Sequence, residues 1–354
     1  MLYAFGSNGS AQLGLGHTED QNEPQKLFID DSDTSWKVTQ LAAGGNHTVF
    51  LCDDGKVRVM GNNEDGRCGL KGTHQLDRPT EMPLPIVDST GKPVEVKQVA
   101  ASWSSTALLT TDGEVYVCGT GNAGELGLGF GIMNASTLQR VPNFVSRGSQ
   151  ITSLAAGMGH TIVTLSNGEV YGWGKGRQGQ LGEPQQNYWE PRQIANVGLF
   201  VIQAVCGREF TMLLDAPVTR SFTVLGPGKG DKFGIAADGP TLISGWKKIA
   251  ASWGGIYVLK TNGETLSWGR NDHGQLASSR LDAIENLAAG SEHCLALTYE
   301  GKVLAWGWGE HGNCGLPLDD NGDVKGTWNE IKVPGRAVRV FAGCATSFIE
   351  VEEP

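Results

Sequence analysis

Apolar residues fall along the chain in short runs that stop at the same kind of break. One run ends in Ala-x-Gly, Ala-x-Ser or a close variant, and a second apolar run follows after two or three variable residues. The break recurs at Leu41-Ala42-Ala43-Gly44, Val99-Ala100-Ala101-Ser102, Leu154-Ala155-Ala156-Gly157 and Val205-Cys206-Gly207. It returns at Ile249-Ala250-Ala251-Ser252, Leu287-Ala288-Ala289-Gly290 and Val340-Phe341-Ala342-Gly343, which makes seven copies. After the second run come a turn (Asp54-Gly55, Asp112-Gly113, Asn167-Gly168, Asn262-Gly263 or Glu300-Gly301), a third apolar run and a glycine-rich loop. Asp-Gly and Asn-Gly between apolar runs predict hairpins with type I′ turns, which need positive φ at both central residues. The fullest loop runs from Trp173-Gly174 to Gly179-Gln180-Leu181-Gly182, and a degenerate one lies near 226–234.

The seventh turn-side half is at the N-terminus, Phe5-Gly6-Ser7-Asn8-Gly9-Ser10-Ala11-Gln12-Leu13-Gly14, and its first half is at the C-terminus. A linear stack has no reason to divide one repeat between the chain ends. A closed ring does, because pairing the ends leaves no long open edge. The pattern therefore predicts an all-β fold, a seven-bladed β-propeller closed by pairing of N- and C-terminal strands, as one domain over residues 1–354. Spacings between successive breaks are 58, 55, 50, 45, 38 and 53 residues. The shortest, from Ser252 to Gly290, predicts a trimmed outer strand. Polar, turn-rich stretches at 71–93, 130–150, 183–198 and 316–335 read as insertions rather than domains.

Composition sharpens this picture. The 51 glycines among 354 residues are about twice the usual share of roughly 7%, without a collagen period, and fit many tight turns. A formal net charge of -10 argues against nucleic acid and for a basic protein partner or simple solubility. Seven cysteines, an odd number without Cys-x-x-Cys, read as reduced thiols of a cytoplasmic, and also nuclear, protein. The sequence shows no secretory leader and no apolar run of membrane-spanning length. No membrane association is expected.

Repeats of roughly fifty residues carrying Gly-x-x-His, Asp-Gly and Gly-x-Asn-x-x-Gly-Gln-Leu-Gly resemble the regulator-of-chromosome-condensation repeat family, whose fold is a seven-bladed propeller. The resemblance spans essentially the whole chain. Three stretches are similar to a fungal, propeller-only branch of that family: Tyr3-Ala4-Phe5-Gly6-Ser7-Asn8-Gly9, Trp306-Gly307-Trp308-Gly309-Glu310-His311-Gly312-Asn313-Cys314-Gly315 and Gly343-Cys344-Ala345-Thr346. That resemblance implies a small CSL-type zinc-finger protein as partner, one that donates electrons for diphthamide synthesis on elongation factor two. It also implies support of Elongator-dependent tRNA wobble-uridine modification, with Elongator-associated factors nearby and the chain a monomer or heterodimer.

Candidate residues come from the repeat phase. His47, His160 and His293 recur at one position. A bond to the neighbouring blade's backbone explains them better than catalysis, since Ser105 and Gly255 stand there in other copies. The loop residues just before that position gather at one end of the ring and include Trp103, Arg208, Glu209, Trp253 and Glu292. Tryptophan and arginine are enriched in interface hot spots. The competing reading has Trp103 and Trp253 capping the core between blades. The sixth repeat departs from its own consensus at Trp308, Glu310, His311, Asn313 and Cys314, where Gln-Leu becomes Asn-Cys. That divergence marks a second candidate contact region. His311, Cys314 and Cys344 supply too few ligands, without paired spacing, for a zinc site. No metal or cofactor is expected.

Templates for serine hydrolases, phosphate-binding loops and zinc proteases are missing. Three functions follow in order: a non-catalytic scaffold for a small metal-bearing protein, a guanine nucleotide exchange factor or regulator for a small GTPase, and a channel-lining enzyme. The second is the founding member's activity, but that protein's basic tail and blade wedge are not evident here. The third needs converging carboxylates, and only Glu209 and Glu292 sit in suitable loops.

Overall fold

The computed structural model describes residues 1–27, 36–84, 91, 94–142, 144–145, 148–228, 230–281 and 283–352. Parts of two expected insertions (85–90, 92–93, 143 and 146–147) and residue 229 of the degenerate loop lie outside them.

Each repeat folds into an antiparallel sheet in which its successive apolar or mixed runs lie side by side. In blade 1 these are Val38–Ala43, His47–Cys52, Val57–Asn62 and Gln75–Glu81. The second strand of this sheet is buried along its whole length, without alternation, because both of its faces meet neighbouring blades. Blades 2 to 6 occupy residues 96–140, 151–193, 203–225, 246–269 and 284–331, and blade 7 joins 337–351 to 2–26. The described residues form seven sheets, five with four strands and two with three. Among the described residues blade 5 shows no outer strand, in line with the short 252–290 spacing, and neither does blade 4. The stretches expected to be insertions hold outer strands instead: Gln75–Glu81, Asn134–Arg140, Tyr188–Gln193 and Asp323–Ile331. These strands are polar because they form the exposed rim, which hid them from a hydrophobic-pattern reading.

The hairpin turns also differ from expectation. Only the glycine has positive φ (Gly55 at 77°, Gly168 at 83°), and the preceding residues Asp54 and Asn167 do not. Gly55 N–H donates to Cys52 O at 3.0 Å while Cys52 N–H donates to Lys56 O at 3.0 Å. This is a type I turn followed by a left-handed glycine, the three-residue hairpin rather than the two-residue one.

Ring closure takes two strands from each end. Leu2–Gly6 pairs with Thr346–Val351 in the register Leu2↔Glu350 to Gly6↔Thr346. Leu2–Gly6 pairs on its other side with Gln21–Lys26, and Thr346–Val351 with Ala337–Ala342. The N-terminal amine donates to Val351 O at 2.8 Å, and Val351 N–H donates to Met1 O at 2.8 Å.

Blades are joined by buried hydrogen-bond relays. His47 Nε2 lies 3.0 Å from Thr106 Oγ1 of blade 2, and that hydroxyl donates to Arg67 O of blade 1 at 2.7 Å. The hydroxyl proton is committed to the carbonyl, so Nε2–H must be the donor to the oxygen. His160 repeats the relay through Thr211 to Gln180 O, and His293 through Ser347 to Asn313 O. The expected histidine–backbone bond is thus indirect: a side-chain hydroxyl stands between. Where blade 5 has Gly255, the Tyr257 hydroxyl fills the space and donates to Gln275 O at 3.1 Å. Indoles of Trp173, Trp268 and Trp306 donate to loop carbonyls of the preceding blade, at 3.1, 3.0 and 2.9 Å.

Burial in these seams keeps the imidazoles neutral. It pushes His47 down from 6.5 to about 3 and His160 and His293 to about 4. Between about pH 6.5 and about 4 the unfolded chain takes up protons that the native seam refuses, so stability falls as pH falls. Urea unfolding across this window should show His160→Gln removing about 1.4 kcal/mol per pH unit of that dependence.

One glycine class fixes where the loops go. Gly307 closes the third strand of blade 6 at φ 105°, and a Cβ there would sit 2.6 Å from Glu292 O. Gly174 in blade 3 is alike, at φ 99° with Gly159 O at 2.5 Å. Gly307→Ala is expected to cost about 3 kcal/mol in thermal or urea unfolding.

Candidate functional site

The strand order places two sets of loops at one end of the ring. In each blade the chain rises along the inner strand, turns through a short inner loop, descends, turns through the hairpin, and rises again into the glycine-rich loop. Inner loops and glycine-rich loops therefore share a face, and the hairpins occupy the other.

On that face the inner loops are tied blade to blade by backbone bonds. Gly45 N–H donates to Trp103 O at 3.0 Å, Trp103 N–H to Met158 O at 3.2 Å, and Met158 N–H to Gly207 O at 3.3 Å. Arg208 N–H then donates to Trp253 O, Trp253 N–H to Ser291 O and Ser291 N–H to Gly343 O, each at 3.0 Å. The loop backbones are held in place, and their side chains are left to point outward or across the central opening.

Trp103 and Trp253 do the latter. They come from blades 2 and 5, yet their rings lie 5.6 Å apart at 48°. Contact between non-adjacent blades requires the pair to span the channel mouth. Below them is a channel of about 300 Å³ lined mostly by alanine, glycine and serine of the inner strands and loops, with Leu41, Val99, Leu154 and Val205 among them. Trp103 remains 39% exposed. The pair therefore caps the channel rather than a seam between blades, and still presents an aromatic surface.

Arg208 and Glu209 are exposed and face each other loosely, at 3.8 Å. Trp308 is half-buried and stacks on His273 (4.9 Å, 18°), whose Nδ1 lies 2.9 Å from Asp323 Oδ1. Glu310 is exposed. His311 is exposed, with Nδ1 2.9 Å from Asp20 Oδ2 of the blade 7 loop.

Three expected contact residues belong to the interior. Asn313 is 1% exposed and its Nδ2 donates to Trp308 O at 2.8 Å. Cys314 is fully buried, which pushes its thiol well above the usual range. Both positions correspond to the Gln-Leu of other blades, where the glutamine closes the loop and the leucine fills the core. Glu292 is also buried, accepting from Arg270 Nη1 at 2.6 Å and Gln275 Nε2 at 2.8 Å. Burial raises its carboxyl despite the arginine. Their substitution would act through the fold rather than by direct contact. Among the described residues no group of three His, Cys, Asp or Glu side chains is arranged to hold a metal ion.

The remaining expected residues, Trp103, Arg208, Glu209, Trp253, Trp308, Glu310 and His311, share the loop face with at least part of each side chain accessible. Sequence reading missed His273 and Asp20, the partners that orient Trp308 and His311. His273 holds the same place in its glycine-rich loop as His311 does in the next repeat, so aligning those loops in phase points to it, whereas Asp20 lies beyond its loop, just before the outer strand Gln21–Lys26, where the repeat carries no signal.

A model of the RCC1-like domain matches residues 1–349. The chain belongs to the RCC1-like domain family. An RCC1 repeat-containing protein of Schizosaccharomyces pombe is 32% identical over 100% of this chain and 99% of its own length. The secretion-regulating guanine nucleotide exchange factor of Bos taurus is 30% identical over 78% of this chain, which spans only 61% of that relative. Among solved structures, Prp20p of Saccharomyces cerevisiae, described with its binding properties to Gsp1p and histones, superposes with TM-score 0.82. At 23% identity, covering 98% of this chain and 90% of that one, it shows the shared fold. In this RCC1-like chain the Arg270–Glu292 and Arg208–Glu209 pairs of the face differ in kind. Arg270→Ala strands the buried Glu292 and should lower urea-unfolding stability by about 2 kcal/mol. Arg208→Ala, at an exposed pair, should change it by no more than about 0.5 kcal/mol.

Proposed function

We propose that the chain is a non-catalytic protein-interaction scaffold that holds a small protein partner on its loop face. The observation that carries this is the partly exposed Trp103–Trp253 pair at the centre of that face, on loops fixed by the inter-blade backbone bonds. Rigid aromatic anchors with arginine nearby are the composition of interface hot spots. Trp308, Glu310 and His311 extend the surface toward blades 6 and 7. Family membership supports a binding role, and the sequence stretches similar to the fungal propeller-only branch support a specific partner. In this reading the partner is a small CSL-type zinc-finger electron-donor protein. The pair serves diphthamide biosynthesis and Elongator-dependent tRNA wobble-uridine modification in the cytoplasm.

The second reading is regulation of a small GTPase. It is favoured by the similarity to a secretion-regulating guanine nucleotide exchange factor.

Calorimetric titration of the full chain with the recombinant zinc-finger protein tests the proposal. Binding is expected, weakened about tenfold or more by Trp103→Ala with Trp253→Ala, a loss of about 1.4 kcal/mol. Trp308→Ala with His311→Ala should weaken it less. Absence of binding overturns the partner assignment. Accelerated nucleotide release from a small GTPase would establish the second reading.

A further inference from the structure

One sector of the loop face carries cations that the repeat does not require. The residue after the positive-φ glycine of the third strand is Asn62, Thr120, Trp308 or Ser7 in four blades, but Lys175 in blade 3 and Arg270 in blade 5. Under each of these two cations the inner loop has glycine. A Cβ on Gly159 would lie 2.7 Å from Lys175 Cδ, and one on Gly254 would lie 3.0 Å from Arg270 Cβ. The aliphatic stems therefore lie directly on loop backbone, and their direction is set by contact rather than left to solvent.

Arg270 is committed to Asp272 and Glu292. Lys175 is not so fully satisfied. Its ammonium is 3.6 Å from Glu125, a carboxylate that also accepts from Ala123 N–H at 2.7 Å. Lys175 borders a cleft of about 420 Å³ between blades 3 and 4, which Asn122, Met158, Arg177, Arg208 and Glu209 also line. Arg177 is exposed and makes no hydrogen bond or ion pair with the described residues. Among the described residues the Arg208 guanidinium has only its 3.8 Å approach to Glu209.

This cationic sector sits on a chain of net charge -10. Across the same face, the blade 6 and 7 loops expose Glu310, Asp319, Asp320, Glu19 and Asp20. The face is therefore polarised, and a partner that covers it must itself be polarised in the opposite sense.

We infer that the cleft between blades 3 and 4 docks an acidic segment of the protein partner, its carboxylates taken by Arg177, Arg208 and Lys175. Guanidinium forks suit carboxylates in two-bond pairing, and Met158 and the carboxamide of Asn122 complete a pocket sized for a few side chains. A nucleic acid fits less well, because its continuous phosphates would run onto the acidic sector and the net negative chain. The inference rests on the reading that this face binds a protein, but its test needs no zinc-finger partner.

Fluorescence anisotropy with a fluorescein-labelled hexaglutamate peptide and the full chain provides the test. Saturable binding is expected, weakened about fivefold or more by Arg177→Glu with Arg208→Glu and by raising salt from about 50 to about 500 mM. Lys97→Glu, on an exposed strand position away from the cleft, should leave it unchanged. Unaltered thermal melts of the variants would exclude unfolding as the cause. Absence of peptide binding, an equal loss in Lys97→Glu, or tighter binding of a hexathymidylate oligonucleotide would each overturn the inference. If hexaglutamate fails while the zinc-finger protein still binds, only the cleft assignment falls. If hexaglutamate binds and the zinc-finger protein does not, the partner identity falls and the acidic-segment chemistry stands.

Discussion

The arrangement of the loop face depends on a steric fact repeated around the ring. At the end of the third strand the chain must turn with positive φ while the inner loop's carbonyl crosses where a side chain would begin. Glycine alone meets both demands, as at Gly174 and Gly307. This close approach brings the glycine-rich loop over the inner loop of the same blade. It explains why Trp308 N–H donates to Glu292 O and Lys175 N–H to Gly159 O. Side chains from two distant parts of each repeat consequently share one surface.

Rigidity of that surface comes from bonds between blades rather than within them. The histidine–hydroxyl–carbonyl relays and the indole donors tie each second or third strand to a neighbour's loop. The backbone bonds of the inner loops do the same around the channel mouth. Breaking these buried bonds would leave donors and acceptors unpaired at a free-energy cost, so the seams favour one relative placement of adjacent blades. The scaffold can then present Trp103 and Trp253 without reorganising them, which reduces the entropic cost of binding. Closure by two strands from each end extends the same logic to the last seam.

Repeat phase puts the expected contact residues at one end of the ring, but it does not say which of their side chains reach solvent. Seven of the ten expected contact residues have accessible surface there. Glu292, Asn313 and Cys314 do not, for a reason that the repeat itself contains. Asn313 and Cys314 replace Gln-Leu, a pair that closes the loop and fills the core, so their divergence is a substitution in the interior. Glu292 has the composition of a surface residue, and only the nearby Arg270 and Gln275 make its burial tolerable. A polar rim strand has the same composition as a loop, so the outer strands look like insertions in the sequence.

Local chemistry written in the chain determined the number of blades, the split closing blade, the hairpin positions and, among the described residues, the missing outer strand of blade 5. Each follows from apolar runs and turn residues that act within about a dozen neighbours. Only the closed ring decided that Trp103 and Trp253 meet across the channel, that His273 stacks on Trp308, and that His311 reaches Asp20. These residues belong to different repeats, and the distances between them are set by the curvature of the ring, to which the strands of all seven blades contribute.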